Sequence, residues 1–208
     1  MRLVIAIDGP AASGKGTVAE RLAQIYALPH LDTGLLYRAV GVDTLRVTGD
    51  LEEADAVSAA HGLDVSTLAR PELRGGPAGE AASRVATFPA VRGALLKFQR
   101  DFAAQAGGAV LDGRDIGTVI APDAPVKVFV TAAPEIRADR RWRQLRGQGE
   151  DIAFEAVLAD IRRRDERDSG RTSAPLVRAP GAALLDTSEM SISDTVDAAR
   201  RIVELARA

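Results

Sequence analysis

The stretch Gly9-Pro10-Ala11-Ala12-Ser13-Gly14-Lys15 fits the pattern G-x-x-x-x-G-K, and its flanks restrict the fold more than any other part of the chain. Before it lies Leu3-Val4-Ile5-Ala6-Ile7, an apolar run of β-formers broken by Asp8-Gly9, which reads as a buried parallel strand entering a turn. After it, Val18, Leu22 and Ile25 recur at helical spacing, so the loop opens a helix. Glycines let successive N–H groups turn toward one anion, and the new helix directs its positive end at the same point. One position departs from the pattern: Gly16 stands where a hydroxyl is expected, and Thr17 follows it. With that slip, Lys15 reaches the β/γ-phosphates of a nucleotide and Thr17 can ligate Mg²⁺. Gly9, Pro10, Ala11, Ala12, Ser13, Gly14, Lys15, Gly16 and Thr17 are therefore expected to cradle nucleotide phosphates. A tight glycine turn that binds nothing is the alternative, and the flanking elements argue against it.

Strand-like segments recur near 29–32, 109–112, 126–131 and 182–186, separated by helical patterns. That alternation predicts an α/β fold, a five-stranded parallel sheet with helices on both faces. A chain of 208 residues can bury such a core as one domain. The last helix is marked by Ser193-Asp194 at its start and by Val196, Ala199, Ile202, Val203 and Ala206 on one side. Two stretches break the rhythm. Residues 66–81, STLARPELRGGPAGEA, are rich in turn formers and read as a surface excursion. Residues 137–171 are crowded with arginine and acid and read as a solvated, mobile helical hairpin.

Composition narrows the function. There is no cysteine, so neither a disulfide framework nor a thiolate metal site is available, and a reducing compartment is compatible. The N-terminal apolar run is too short for a signal peptide and nothing approaches membrane-spanning length, so a cytoplasmic protein without a membrane partner is expected. A net charge of -2 argues against general nucleic-acid binding, and 4% aromatic residues leave few stacking platforms for single strands. Among 27 basic residues the lysines are Lys15, Lys97 and Lys127, so an arbitrary arginine here is most often a surface residue and position must decide its role.

Three stretches hold arginines and acids where position matters. LDTGLLYR (31–38) places Thr33, Tyr37 and Arg38 just past the end of a short strand. LDGRDIGTV (111–119) does the same for Asp112, Arg114 and Asp115. RRRDERDSGR (162–171) supplies Arg164, Arg167, Asp168 and Arg171. In open α/β sheets ligands bind at the carboxyl ends of the strands, where the phosphate loop also lies. Taken with the GKGT loop, these motifs resemble those of the cytidylate (CMP/dCMP) kinases, members of the P-loop nucleoside monophosphate kinases. The resemblance runs from about residue 3 to the C-terminus and includes FPAVRGALLKFQR (88–100) and PDAPVKVFV (122–130). GKGT alone would indicate nucleoside monophosphate kinases in general; LDTG-x-x-YR with DGRD-x-GT narrows the resemblance to this family.

The resemblance implies transfer of the γ-phosphoryl group of ATP to CMP or dCMP, with Mg²⁺ as cofactor. The acceptor is already an anionic oxygen, so catalysis is mostly positioning and charge neutralisation. Lys15, the loop amides and Mg²⁺ would serve the donor, with Asp112 holding the metal through water; an aspartate closing a strand into a glycine turn is the ordinary alternative. By resemblance, Arg38 and Arg114 clamp the acceptor phosphate, a task suited to planar guanidinium forks. Ser83, Arg92 and Asp115 match the base-reading positions. Cytosine offers an amino group to a carboxylate and acceptors to an arginine, and uracil would reverse part of that set. Tyr37, Arg164 and Asp168 map onto ribose and acceptor-side contacts, and Thr33 joins this substrate set. Arg140, Arg141 and Arg171 match arginines on or beside a lid that closes over both substrates and excludes water.

Arg137, Arg143, Arg146, Arg162 and Arg163 have no such match and read as solvated face. His30 and His61 lack metal-ligand spacing and are assigned no catalytic part. The implied organisation is a core over 1–60 and 100–208, an acceptor-binding insertion over 61–99 and a lid over 137–171, in a monomer. The sequence departs from many bacterial members, which carry a longer insertion with a small antiparallel sheet. Here Gly75-Gly76-Pro77-Ala78-Gly79 stands where strands would lie, so no such sheet is expected. Two other readings stay open: a phosphate-loop kinase for another small acceptor, such as shikimate or another monophosphate, and a nucleotide-dependent regulatory module.

Overall fold

A computed structural model describes residues 2–207. The strands are β1 (Leu3–Asp8), β2 (His30–Asp32), β3 (Gly108–Gly113), β4 (Val126–Thr131) and β5 (Ala183–Asp186). They form one sheet in the order β2-β3-β1-β4-β5, with β1 paired in parallel to both β3 and β4, and β4 to β5. The apolar runs make this sheet because side chains on both faces are covered, as a parallel sheet requires. Ile5, Ile7, Val110, Val128 and Leu185 pack with Val18 and Leu22 of α1 (Lys15–Tyr26) and with Ala199 and Val203 of α8 (Ile192–Arg207). Helix α8 starts one residue ahead of Ser193, with the Ser191 hydroxyl accepting from the Asp194 N–H at 3.1 Å.

The chain divides into two compact units, Met1–Leu31 with Asp101–Ala208, and Asp32–Arg100. In the second, α2 (Thr33–Thr48) lies against α4 (Gly76–Val85), and α3 (Glu53–His61) and α5 (Pro89–Ala103) follow the same chain. Gly41 permits the close approach of α2 to α4: a Cβ there would sit 2.8 Å from that of Ala81. Leu36, Val40, Leu73, Val85 and Val91 are wholly enclosed.

Residues 66–81 lie largely at the surface, as expected, but they are not an irregular loop. They form two short 3₁₀ turns, Val65–Ala69 and Pro71–Arg74, and the start of α4, with Leu73, Ala78 and Ala81 buried. The residues that looked like loop punctuation are helix starts: Pro71 and Pro77 both stand in the first turn of their helices, where a missing N–H is no loss. Among the described residues, 33–100 contain no strand.

In the first unit, α6 (Pro134–Gly147) and α7 (Phe154–Gly170) form the expected helical hairpin. Its inner side is not solvated. Ala138, Leu145, Val157 and Ile161 are buried together, and the Trp142 and Phe154 rings meet edge to face at 6.4 Å. Arg137 was expected on the solvated face and is instead 3% exposed. It donates to the carbonyls of Ala132 and Ala11 and pairs with Asp165 through both terminal nitrogens, so each of its three nitrogens meets an acceptor inside the protein. No helix among the described residues is long and apolar enough to cross a membrane.

Candidate active site

The phosphate loop is shaped by its neighbour strand. A Cβ on Gly9 would fall 2.0 Å from the carbonyl oxygen of Val130 in β4, so no other residue fits. Ala12 and Gly14 take left-handed backbone, at φ 59° and 88°, which turns the loop back toward the N-terminus of α1. Ser13 is fully enclosed and its Oγ has no hydrogen-bond partner among the described residues. Its carbonyl accepts from the Thr187 hydroxyl at 3.0 Å. Thr187, just past β5, in turn receives Arg140 of α6: Nη1 donates to Oγ1 at 2.8 Å and Nη2 to the carbonyl at 2.6 Å. A cavity of about 440 Å³ opens here, bordered by Ser13, Thr17, Arg140, Arg141, Thr187 and Ile192.

At the carboxyl end of β3, Asp112 is 1% exposed and its Oδ1 lies 2.8 Å from His30 Nε2. Its other oxygen lies 3.9 Å from where a Gly16 Cβ would be, which sets the carboxylate against the first turn of α1 beside Thr17. Arg114 follows and donates through Nε to Asp168 of α7 at 2.7 Å. Burial alone would raise the Asp168 carboxyl, but the Arg114 and Arg171 guanidinium groups, the Arg114 hydrogen bond and the Arg164 charge hold it below the usual carboxylate range. Arg164 and Arg171 are each 9% exposed. The Nε of Arg164 and one terminal nitrogen of Arg141 are buried without a hydrogen-bond partner among the described residues. Burial pulls both guanidinium groups below their ordinary basicity. An anion would satisfy these two donors.

The second unit holds its own set. Thr33 begins α2 behind Asp32, whose side chain caps the helix by accepting from the Gly34 N–H at 2.8 Å. Tyr37 and Arg92 come together, the guanidinium 5.6 Å from the ring centroid. Arg38 donates to the Leu73 carbonyl at 2.7 Å, and Ser83 is 5% exposed on the buried side of α4.

The cytidylate kinase family matches residues 5–205 of this sequence. The chain belongs to the cytidylate kinase family. It is 64% identical over its whole length to a cytidylate kinase of Caulobacter sp., covering 97% of that chain, and 63% identical to one of Xanthobacter autotrophicus, covering 99% of each. A cytidylate kinase of Cereibacter sphaeroides is 56% identical over all of this chain and 98% of its own. Two solved structures share the fold at lower similarity. An uncharacterised protein of Eubacterium ventriosum aligns at a TM-score of 0.58 with 15% identity, covering 98% of this chain and 99% of its own. A Thermus thermophilus protein aligns at 0.51 with 20% identity, covering 100% and 98%. The family does not favour a shikimate-type kinase or a catalytically inert nucleotide module.

Within the first unit, Lys15 and Thr17 stand in the first turn of α1, Asp112 at the end of β3, Arg114 and Asp115 on the turn past it, Arg140, Arg141, Arg164 and Asp168 on the hairpin, and Arg171 at its C-terminal cap. Three residues there escaped the sequence reading. Thr187 stands in DTSEM, one residue past β5, where the strand-end rule would have pointed to it. His30 lacked metal-ligand spacing, and its partner Asp112 is 82 residues away. Asp8 looked like a turn residue; it is 3% exposed and accepts from the backbone of Ile116 and Gly117.

Proposed function

We propose that this chain phosphorylates its acceptor by surrounding the transferring group with fixed cations, and that the residues above divide the work. The reaction moves the γ-phosphoryl group of ATP onto CMP or dCMP, giving ADP and CDP or dCDP. The observation that carries the division is the arginine cluster of the hairpin, in which Arg141 and Arg164 bury N–H groups without a hydrogen-bond partner among the described residues. Preorganised donors of this kind stabilise charge that develops during transfer without having to reorganise.

The loop residues Gly9 to Thr17 hold the donor phosphates, Lys15 reaching the β- and γ-groups. Arg140, Arg141 and Arg171 act on the group in transit. In the unit over 32–100, Thr33, Tyr37, Arg38, Ser83 and Arg92 are assigned to the acceptor by their motifs. In the other unit Arg114, Asp115, Arg164 and Asp168 are assigned to it, with Asp115 taking the cytosine amino group. Thr17 and Asp112 offer hard oxygen ligands that suit Mg²⁺, which keeps most of its shell as water and phosphate oxygens and needs one or two protein groups. Bound there, the metal would neutralise phosphate charge. Residues 137–171 serve as the lid and 61–99 as the acceptor-binding insertion of a monomeric, cytoplasmic enzyme; sedimentation checks the first property and cell fractionation the second.

The test is ADP release, measured by coupled assay, on a panel of CMP, dCMP, UMP, AMP and shikimate. CMP and dCMP should exceed the others in kcat/KM by about a hundredfold or more, because a site that hydrogen-bonds its substrate's base leaves charged groups unpaired with the wrong one. Faster turnover of AMP or shikimate than of CMP would overturn the assignment.

A further inference from the structure

Asp8 closes β1 opposite Gly113 of β3 and Phe129 of β4, at the carboxyl end of the sheet's central strands. A carboxylate buried there needs donors, and it finds them far along the chain. Oδ1 accepts from the Ile116 N–H at 2.7 Å and Oδ2 from the Gly117 N–H at 2.8 Å. Those two amides open a single π-type turn, Ile116–Ile120, whose preceding residue is Asp115. Such turns are rare and recur at functional sites.

The Ile116 N–H belongs to the same peptide plane as the Asp115 carbonyl. That carbonyl accepts from Val119 at 2.9 Å and from Ile120 at 3.2 Å. The plane following Asp115 is thus held at both ends, by Asp8 on its N–H and by the turn on its C=O. With the plane fixed, the Asp115 backbone cannot rotate without breaking hydrogen bonds inside the protein. The next residue along the chain from Asp8 is Gly9 of the phosphate loop, so one residue links the donor loop to the turn that bears Asp115.

We infer that Asp8 is a positioning residue for base recognition: through the Ile116 and Gly117 amides it fixes where Asp115 presents its carboxyl to cytosine. This rests on the assignment of Asp115 to the cytosine amino group. Asp8 touches no substrate itself. A carboxylate is the side chain that suits the task, because both of its oxygens accept, whereas an amide would set an NH₂ against one of the two N–H groups.

The experiment compares kcat/KM for CMP and for UMP in the wild type, Asp8→Asn, Gly117→Ala and Asp115→Ala, with circular dichroism on each. The two acceptors carry the same phosphate, so losses at the phosphate or in the fold lower both equally, and their ratio reports base reading alone. In Asp8→Asn the CMP:UMP ratio should fall by about tenfold, the scale of one hydrogen bond to a charged group. Gly117→Ala approaches from the other side: its Cβ would lie 3.3 Å from Asp8 Oδ2 and 3.1 Å from the Ala179 Cβ, displacing the carboxylate by a few tenths of an ångström, and the ratio should fall in the same direction. Gly117→Ala decides the matter alone should Asp8→Asn fail to fold. If Asp115→Ala collapses the ratio while both other variants keep it, Asp8 is a structural pin, and the inference fails with the base reading intact. If Asp115→Ala leaves the ratio unchanged, the base reading fails and the inference with it.

Discussion

Several charged side chains are buried in the first unit, and three of them meet different kinds of partner. Arg137 faces a carboxylate and two carbonyls, Asp8 faces two backbone N–H groups, and Arg164 lies between the like charges of Arg114 and Arg141 and the carboxylates of Asp160 and Asp168. The first arrangement stabilises the fold. Arg137→Leu should lower stability in urea by about 2–4 kcal/mol, somewhat less than the loss of a fully buried pair because Asp165 is partly exposed and can rehydrate. A loss under about 1 kcal/mol would show that the fork is incidental. The second arrangement works against stability. Burial raises the Asp8 carboxyl from 3.8 to about 6 against the two amide hydrogen bonds, with Asp115 raising it further and Arg114 lowering it. A carboxyl raised in the folded state contributes stability that is full below its unfolded value and lost as pH rises through about 6. Between pH 4 and pH 7, Asp8→Asn should therefore gain about 2 kcal/mol relative to wild type in urea unfolding, since the amide does not titrate. Parallel stability curves would mean that Asp8 ionises at its ordinary value. Neither residue was legible as buried from the sequence. Arg137 sits among arginines of which most are exposed, and the partners of Asp8 lie more than a hundred residues away. The places of Lys15 at the start of α1 and of Asp112 at the end of β3 were legible, because a loop motif and an apolar run mark them locally.

The residues that the proposal draws from helix α7 stand near its C-terminal end. Arg164 and Asp168 stand one turn apart on its buried side, and Arg171 follows at the cap, with its Nε donating to the Asp168 carbonyl at 3.3 Å. A helix C-terminus favours cations, which suits an arginine at this position. Arg171→Ala should lower kcat by about a hundredfold and change KM little, because a cation acting on charge that develops during transfer leaves ground-state binding almost intact. An effect confined to KM would make Arg171 a ground-state contact. At this scale the sequence was most informative where helical periodicity could be read, as in α1 and α8. It misled where short helices begin with Pro and Gly, as at Pro71 and Gly75-Gly76-Pro77, because the residues that start a helix also make a turn and only packing distinguishes them.

Across the whole molecule, the order of the chain and the order of the sheet run against each other. β1 is first in sequence and central in space, while its two neighbours lie about a hundred and more residues later. The alternation of strand and helix announced a parallel sheet, but strand order depends on pairings at long range that no local pattern encodes. In a chain cut after residue 107, which lacks β3 and β4, the amides of Val4 to Ile7 should exchange with solvent within seconds, whatever residues 32–100 do on their own. Protection of those amides would mean that β1 finds another partner. On a ribosome the same geometry sets a timetable. β1 and the glycine-rich loop after it emerge about a hundred residues ahead of β3, so Leu3 to Ile7 must wait as a naked apolar ribbon until that strand has been made. Each nascent copy passes through an interval in which its future centre is its most adhesive surface, and translation speed over residues 8–107 determines how long that interval lasts.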